Sequence, residues 1–409
     1  MTGRIAEAWQ HVIARAAGVL EVSSGVLSGR RPAQWRAVGI PVIVACVALA
    51  CTTLAGCHNG PTALTDRITV TGFAERGASV TLGFERGGTV VAPASVKWSA
   101  TPAAAVTITA AGVATFSDTG SVTFTGQDGT TSASLTVHVT APPMILFDLQ
   151  DSGGAGNRDV YSVALDGQGL TQLTSGTSDN EQPVLAGSTI VFTSFRDGYA
   201  ALYTVPLAGG AETRIPTIPS PSDQASVSAN GATLAFISTL NGSDHLWTSG
   251  IDGSNPVAAT GSAGFSTAVE ASPSWSTSAD TLVVVTTQFG NASLAEMALS
   301  EGTETSLTNG ATTDVDPAWS PDGKTIAFIS TRDGDVALFT FTVATGVITR
   351  LSPNPANVAD PGWLADGRIV FVSAVGSATQ MRWLDPAHPD TGTVIPTPAG
   401  GDPRRPVRE

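Results

Sequence analysis

An apolar triplet recurs at nearly regular intervals along the last two thirds of the chain. It has the form Ile-x-Phe or a close variant, and successive copies start 43 to 48 residues apart. The copies start at Ile145, Ile190, Leu234, Leu282, Ile326 and Ile369. Repeats of this length with several strand-like segments each are typical of β-propellers, with one blade per repeat. The pattern therefore predicts six blades.

The fifth repeat has the clearest alternation of strand and turn signals. Its predicted strands cover residues 316–320, 325–330, 336–343 and 347–352. Asp322-Gly323 stands between the first two strands and Asp333-Gly334 between the next two. Asp-Gly favours a hairpin turn because glycine accepts the positive φ that such turns require. We therefore predict four strands in each blade.

The first repeat lacks an inner strand of its own. At the other end of the chain, Asp402-Pro403 repeats the Asp-Pro dipeptides that begin at Asp316 and Asp360. We predict that residues 402–407 pair with residues 145–149 and supply the missing strand. Such closure removes the free edges that an open sheet would present.

Residues 66–141 have a different pattern. Short runs in which apolar and polar residues alternate are separated by Gly, Pro and Asp, which predicts strands joined by turns. The runs are Ile68–Val70, Val80–Leu82, Val96–Trp98, Val106–Ile108, Val113–Phe116, Val122–Phe124 and Leu135–Val139. Seven short strands with one Trp on a middle strand favour a small Ig-like β-sandwich without the disulfide of antibody domains.

Three segments of this region resemble the bacterial Ig-like group 2 family. They are Val96-Lys-Trp-Ser99, Ala111-Gly-Val-Ala-Thr-Phe116 and Ser134-Leu-Thr-Val-His-Val139. The resemblance implies that the domain is a spacer, or that it binds another protein or a carbohydrate. His138 alternates with two valines, so we expect an exposed strand residue there and not a ligand.

Composition narrows the class of protein. Only 13% of the residues are charged, and small and β-branched residues abound, which is typical of all-β proteins outside the cytosol. The net charge is −14, and since residues 1–56 contribute +3, the remainder carries about −17. An acidic surface repels phosphates, so we expect no nucleic-acid partner. The cysteines are Cys46, Cys51 and Cys57, which leaves no disulfide for the rest of the chain.

An export signal and a lipid-attachment site are predicted near the N-terminus. Three arginines between residues 30 and 36 precede an uncharged apolar run over residues 37–55, a pattern typical of a secretory signal. The run ends in Leu54-Ala-Gly-Cys57, which resembles the lipobox of bacterial lipoproteins. That resemblance implies a lipid on Cys57, and the His58 that follows implies transfer to the outer membrane. An uncleaved anchor helix is the alternative, since the run is long enough to span a bilayer.

The repeats contain no recognisable catalytic motif. His245 and His388 are the histidines of residues 144–409 and lie in different repeats, so there is no paired-histidine metal site. The nucleophile motif Gly-x-Ser-x-Gly is also absent from the sequence. We expect no catalytic residue, no resident metal and no cofactor.

Acidic residues at the starts of the inner strands are the candidate binding residues. If the repeats align, Glu181, Asp314, Asp316, Asp360 and Asp402 lie near one mouth of the central channel. A ring of carboxylates attracts a cation such as Ca²⁺ or a basic segment of a partner. The plainer alternative is that these side chains accept hydrogen bonds from backbone amides at the strand starts, as Asp before Pro often does.

The fifth repeat, Asp316-Pro-Ala-Trp-Ser-Pro-Asp-Gly-Lys-Thr-Ile-Ala-Phe-Ile-Ser330, resembles the TolB-type propeller repeat, and the sixth matches it in part. With the strand patterns above, this resemblance predicts an all-β chain: a small Ig-like β-sandwich followed by a six-bladed TolB-like β-propeller closed by the C-terminal strand. TolB proteins have an N-terminal α/β domain where this chain has a lipobox and an Ig-like domain. The resemblance therefore does not imply membership of the Tol–Pal system.

Together these features predict four parts: an N-terminal extension and signal (1–56), a tether (57–65), an Ig-like domain (66–141) and a propeller (144–409). We expect a monomeric, non-enzymatic lipoprotein of the cell envelope that binds a protein or peptide, or a glycan. The alternative is an enzyme, a polysaccharide lyase or hydrolase with a metal in the channel, since some TolB-like propellers have such activity.

Overall fold

The computed structural model describes residues 66–150, 156–240, 243–260, 270–277, 280–301, 303–353, 356–376, 378–389 and 392–408. The signal, the tether and Cys57 lie outside the described residues. The described residues form 32 β-strands and two short 3-10 turns, Pro93–Ser95 and Ala103–Ala105, which confirms the all-β prediction. None of them forms a helix that could cross a bilayer.

The first eight strands form a two-sheet sandwich. They are β1 (Arg67–Thr71), β2 (Ser79–Arg86), β3 (Thr89–Val91), β4 (Lys97–Thr101), β5 (Val106–Ile108), β6 (Val113–Phe116), β7 (Gly120–Asp128) and β8 (Thr131–Val139). One sheet has the order β1-β2-β6-β5 with β3 added to β2, and the other has the order β4-β7-β8. Phe84, Phe116 and Phe124 are buried between the sheets, and Trp98 packs edge-on to Phe84 at 6.5 Å. The strand that the sequence pattern did not predict is β3.

The remaining 24 strands form six four-stranded blades, as the triplets predict. They are β9 (Met144–Gln150), β10 (Arg158–Ala164), β11 (Thr171–Gln172), β12 (Asn180–Ala186), β13 (Thr189–Ser194), β14 (Ala201–Pro206), β15 (Thr213–Arg214), β16 (Ser222–Val227), β17 (Thr233–Ser238), β18 (His245–Gly250), β19 (Val257–Ala258), β20 (Glu270–Trp275), β21 (Thr281–Thr286), β22 (Ser293–Ala298), β23 (Thr303–Ser306), β24 (Asp314–Trp319), β25 (Thr325–Ser330), β26 (Ala337–Thr342), β27 (Val347–Arg350), β28 (Val358–Trp363), β29 (Ile369–Val375), β30 (Ala378–Leu384), β31 (Thr393–Val394) and β32 (Asp402–Arg408). Blades 2 to 6 each use four consecutive strands from β12 to β31, with the inner strand first.

The C-terminal strand closes the ring inside blade 1. That blade has the order β11-β10-β9-β32, and β32 is its inner strand. In the antiparallel pair, Asp402 lies opposite Gln150 and Arg408 opposite Ile145. The predicted closure is therefore confirmed.

The propeller core lies between the blades. Each triplet lies on the second strand of its blade. In β13, for example, Ile190, Val191 and Phe192 are all fully buried, which explains why the second strands are continuous apolar runs. A strand covered on both faces by neighbouring blades has no solvent-facing side. Every cluster of buried apolar residues described in the propeller joins two adjacent blades, as Phe147 of blade 1 and Val370 of blade 6 do. This packing holds the six inner strands around a central channel.

Candidate functional site

Six inner-strand residues with left-handed backbone conformation surround the channel. The ladder of every inner strand is interrupted by a two-residue bulge at the same position. The first residue of each bulge has a φ between 48° and 57°, and these residues are Gln182, Gln224, Ser272, Asp316, Asp360 and Arg405. Such a φ is uncommon for residues other than glycine. We call these six residues the bulge ring.

Proline follows the ring residue in five of the six strands. The prolines are Pro183, Pro273, Pro317, Pro361 and Pro406, and Ala225 has this position in blade 3. An inner strand is the edge of its sheet, so a residue without an N–H there removes no ladder hydrogen bond. The same feature makes the channel wall a poor template for adding another strand.

Side chains of the bulge ring bind the backbone of the next blade. Gln182 Oε1 accepts the N–H of Gln224 at 2.8 Å, and Gln224 Oε1 accepts the N–H of Ser272 at 2.6 Å. The Asp316 carboxylate accepts hydrogen bonds from the Asp360 backbone and the Ser272 side chain. The ring therefore ties adjacent inner strands together.

The last ring side chain that accepts a backbone N–H from the next inner strand is Asp360. Asp360 Oδ2 accepts the N–H of Arg405 at 3.2 Å. A guanidinium group has no acceptor atom, so Arg405 cannot bind the N–H of Gln182 in the same way. Asp148, on β9 of the same blade, accepts that N–H instead, at 3.2 Å.

A cavity of about 500 Å³ occupies the channel. It is lined by the bulge ring, by the residues that follow it in each strand, and by Trp319 and Trp363. A smaller cavity of about 170 Å³ is lined by the same two tryptophans and by Trp275. The indole N–H groups of Trp275 and Trp363 donate to carbonyls of the preceding blade, on Ser226 and Ala318. The buried indole N–H of Trp319 has no hydrogen-bond partner among the described residues.

Charged groups gather at and just before the bulge ring. Burial, together with the neighbouring charge of Asp360, raises the pKa of Asp316 to about 6. Burial likewise raises the pKa of Asp223, which directly precedes a ring residue, to about 6. Arg405 opposes both shifts, and its Nη1 lies 3.6 Å from Glu181 Oε2.

The structure separates the five candidate acids. Asp316 and Asp360 belong to the bulge ring and line the cavity. Glu181 lies one residue before the ring and pairs with Arg405. The hydrogen bonds that the plainer alternative predicts, from backbone amides to these carboxylates, are present at Asp316 and Asp360.

Asp314 and Asp402 have other surroundings. Asp314 is fully buried, and its Oδ1 accepts hydrogen bonds from Ser330 Oγ at 2.5 Å and Arg332 Nη2 at 2.9 Å. The Asp402 carboxylate pairs with Arg158 and accepts a hydrogen bond from Thr379 Oγ1 at 2.6 Å. Neither residue is part of the cavity lining.

The alignment of Asp402-Pro403 with the other Asp-Pro dipeptides is wrong. The bulge of β32 falls between Arg404 and Val407, so Arg405-Pro406 is the equivalent pair. Sequence reasoning therefore missed Arg405, and it also missed Gln182, Gln224 and Ser272. The residue before the inner-strand proline was the available signal, and it identifies every ring member except Gln224.

Among the described residues, no three His, Cys, Asp or Glu side chains form a group that could hold a metal ion.

Comparisons with known proteins agree with this architecture. A family model described as the TolB beta propeller domain matches residues 260–393. TolB from Acinetobacter baumannii superposes with a TM-score of 0.58 at 15% identity, over 74% of this chain and 80% of that one. The propeller is TolB-like in fold.

Two further solved structures align with this chain. A chain of a nidogen/laminin complex aligns with a TM-score of 0.51 at 9% identity, over 64% of this chain and 97% of that one. Hydrazine synthase from Kuenenia stuttgartiensis aligns with a TM-score of 0.52 at 10% identity, over 65% of this chain and 46% of that one. A comparison with curated proteins finds no match. Proteins of such different kinds share the fold, so the fold alone does not identify a ligand.

Proposed function

We propose that this protein is a lipid-anchored component of a bacterial cell envelope whose propeller channel binds a basic segment of a protein partner. The observation that carries the proposal is the cavity of about 500 Å³ bounded by the bulge ring. Its volume suits a few side chains of an inserted segment, since ligand pockets typically span roughly 300–1,000 Å³.

The charge of the channel favours a cationic ligand. Five carboxylates lie in or beside the ring: Asp148, Glu181, Asp223, Asp316 and Asp360. The neighbouring cations are Arg405 and Arg158, so the ionised cluster keeps an excess of negative charge. The raised pKa values of Asp148, Asp223 and Asp316 mean that the ionised carboxylates are poorly solvated. A lysine or arginine side chain would stabilise them.

The apolar part of the channel favours a segment of polypeptide over a bare cation. Trp319, Trp363 and the ring prolines offer apolar surface next to the carboxylates. The unpaired indole N–H of Trp319 can donate to a carbonyl of an inserted chain. A basic residue followed by an apolar one matches both parts of the cavity.

The anchor is proposed from the sequence alone. The Leu54-Ala-Gly-Cys57 segment supports lipidation of Cys57, and an Ig-like domain over residues 66–141 would be the spacer between the membrane and the propeller. The outer membrane is the proposed location. Mass spectrometry of the mature N-terminus should find a lipid-modified Cys57 in the natural chain and an unmodified, uncleaved signal in Cys57→Ser. Detection of an intact signal in the natural chain would contradict lipid anchoring.

Site-specific photo-crosslinking tests the channel as the binding site. Ala225 lines the cavity without belonging to the bulge ring, so a photo-reactive residue there leaves the ring hydrogen bonds intact. Val347 on the outer strand β27 is 54% exposed and is the matched control. In intact cells we expect a discrete protein adduct from position 225 and none from position 347. The same adducts at both positions, or none at position 225, would contradict the proposal.

Metal analysis separates this function from the enzymatic alternative. A polysaccharide lyase or hydrolase with a channel metal predicts a stoichiometric metal ion in the purified protein, lost in Asp316→Asn. The binding function predicts no stoichiometric metal and no such dependence.

A further inference from the structure

The most deeply buried arginine of the described residues joins the sandwich to the propeller. Arg368 precedes β29 of blade 6 and is 1% exposed. Its Nη2 lies 2.8 Å from Glu75 Oε1 of the sandwich and 2.5 Å from Asp366 Oδ2 of its own blade. Its guanidinium lies over the rings of Phe73, at 4.2 Å, and Trp383, at 4.9 Å. One side chain thus binds two sandwich residues and two blade 6 residues.

A second contact joins the same part of the sandwich to blade 1. Arg76 Nε lies 2.7 Å from Oδ2 of Asp166, in the turn between β10 and β11. The backbones approach closely here, since a Cβ added to Gly77 would lie 2.8 Å from Asp166 Cβ. All the sandwich residues of both contacts lie in residues 72–78, between β1 and β2, which we call the clasp loop.

The two contacts lie on either side of the ring closure. Blade 1 is the blade in which β9, from the start of the propeller, pairs with β32, from the end of the chain. The sandwich is covalently continuous with β9 through residues 140–143, and the clasp loop also holds blade 6, from which the chain runs on to β32. The sandwich and the propeller belong to one compact unit.

We infer that the clasp loop fastens the propeller across its closure, so that the sandwich does more than space the propeller from its anchor. Separation of β32 from β9 would pull blade 6 away from blade 1, and the clasp loop resists that movement from outside the ring. Release of the loop would break the bond between Arg368 and Glu75 and would remove Phe73 from the face of the guanidinium, leaving Asp366 as its partner, so release is unfavourable. The sandwich and the propeller then open together.

Charge reversal in the clasp loop tests this inference in the full chain. Glu75→Arg puts a second guanidinium against Arg368 without altering any propeller residue. Glu85→Arg is the matched control, since Glu85 pairs with Arg67 within the sandwich alone. Hydrogen exchange of the β9 and β32 amides is the first measurement, and calorimetry of the thermal transitions is the second. We expect at least tenfold faster exchange in Glu75→Arg, with amides of β17 and β21 unchanged, and natural rates in Glu85→Arg.

The thermal transitions provide the second readout. The natural chain should melt in one transition, which Glu75→Arg separates into two and Glu85→Arg leaves single. Two transitions in the natural chain, or unchanged β9 and β32 exchange in Glu75→Arg, would overturn the inference. If Glu75→Arg does not fold, the isosteric Glu75→Gln should still accelerate exchange at β9 and β32 at least threefold, and natural rates in that variant would overturn the inference equally.

Discussion

Asp148 Oδ1 accepts the backbone N–H of Gln182 at 3.2 Å, at the one place where the bulge ring offers a guanidinium and no acceptor. Asp148 Oδ2 lies 2.6 Å from Arg158 Nη1, and the same guanidinium pairs with the Asp402 carboxylate on the closing strand. One buried carboxylate therefore links the start of blade 2 to the closure of blade 1. The ring of inner strands is completed by a residue outside it.

The ionisation of Asp148 should make stability depend on pH. Burial raises its pKa to about 6 despite Arg158. An acid whose pKa is higher in the folded protein than its unfolded value of about 3.9 stabilises the fold below that value, and this contribution is lost as pH rises towards 6. The unfolding free energy of the natural chain should therefore contain a fall between pH 4 and pH 7 that is due to Asp148. We expect Asp148→Asn to remove this fall, which amounts to roughly 2–3 kcal/mol at about 1.4 kcal/mol per pKa unit. Urea denaturation at several pH values measures it, and an unchanged pH profile would count against the raised pKa.

Asp360 tests the left-handed backbone of the bulge ring. A β-branched residue is strained at its φ of 53°, and valine also cannot accept the Arg405 N–H. We expect Asp360→Val to destabilise the protein by about 2–3 kcal/mol, from roughly 1–2 for the backbone and about 1 for the hydrogen bond. Asp360→Asn tolerates the φ and keeps an acceptor, so its unfolding free energy should stay within about 1 kcal/mol of the natural value. Equal losses in the two variants would show that the bulge geometry is not the cause.

Arg405 should control the ionisation of the channel acids. Its charge lowers the pKa of Asp148, Asp223 and Asp316 against the effect of burial. We expect Arg405→Gln to raise all three pKa values further above about 6, while Arg405→Lys keeps them near it. Carboxyl ¹³C titration by NMR follows each group. Identical titration curves in the glutamine and lysine variants would refute this role.

Binding should share the pH dependence of these acids. Ionised carboxylates attract a basic segment and protonated ones do not. The yield of the photo-crosslinked adduct from position 225, here called capture, should therefore increase as pH rises from 5 to 7. Arg405→Gln removes a repulsive cation but also raises the pKa of the acids, so it should increase the adduct yield only at a pH above the new pKa values. Capture that increases towards low pH would point to a ligand of the opposite charge.

The repeat pattern predicted the blades because it reports burial. In every blade the triplet on the second strand, such as Ile326–Phe328, is apolar and buried on both faces, so its period survives even where the rest of the repeat has diverged. The closure could also be predicted, since a blade without an inner strand needs one from elsewhere.

The candidate site was harder to predict because it depends on how each inner strand pairs with the strand beside it, and a shift of a few residues changes which residue occupies the bulge. Asp402-Pro403 has the same sequence as the Asp-Pro pairs of the ring but lies three residues before the true bulge residue, Arg405. Asp314 lies two residues before a ring member and is buried within its blade. The ring members also differ in chemistry, from Ser272 to Arg405, because they share a backbone conformation and not a side chain. The pairing of Glu75 with Arg368 carries no sequence signal, since the two residues are far apart in the chain.

The central claim is that the carboxylates of the bulge ring bind a basic partner segment. Crosslinking from position 225 in an Asp316→Asn/Asp360→Asn background tests it most directly, because asparagine keeps the backbone conformation and removes only the charge. Asp322→Asn/Asp333→Asn is the control, with the same change of charge at two exposed turns of blade 5. The account predicts that the adduct falls at least tenfold in the ring variant and persists in the control. An adduct of equal yield in both backgrounds would contradict it.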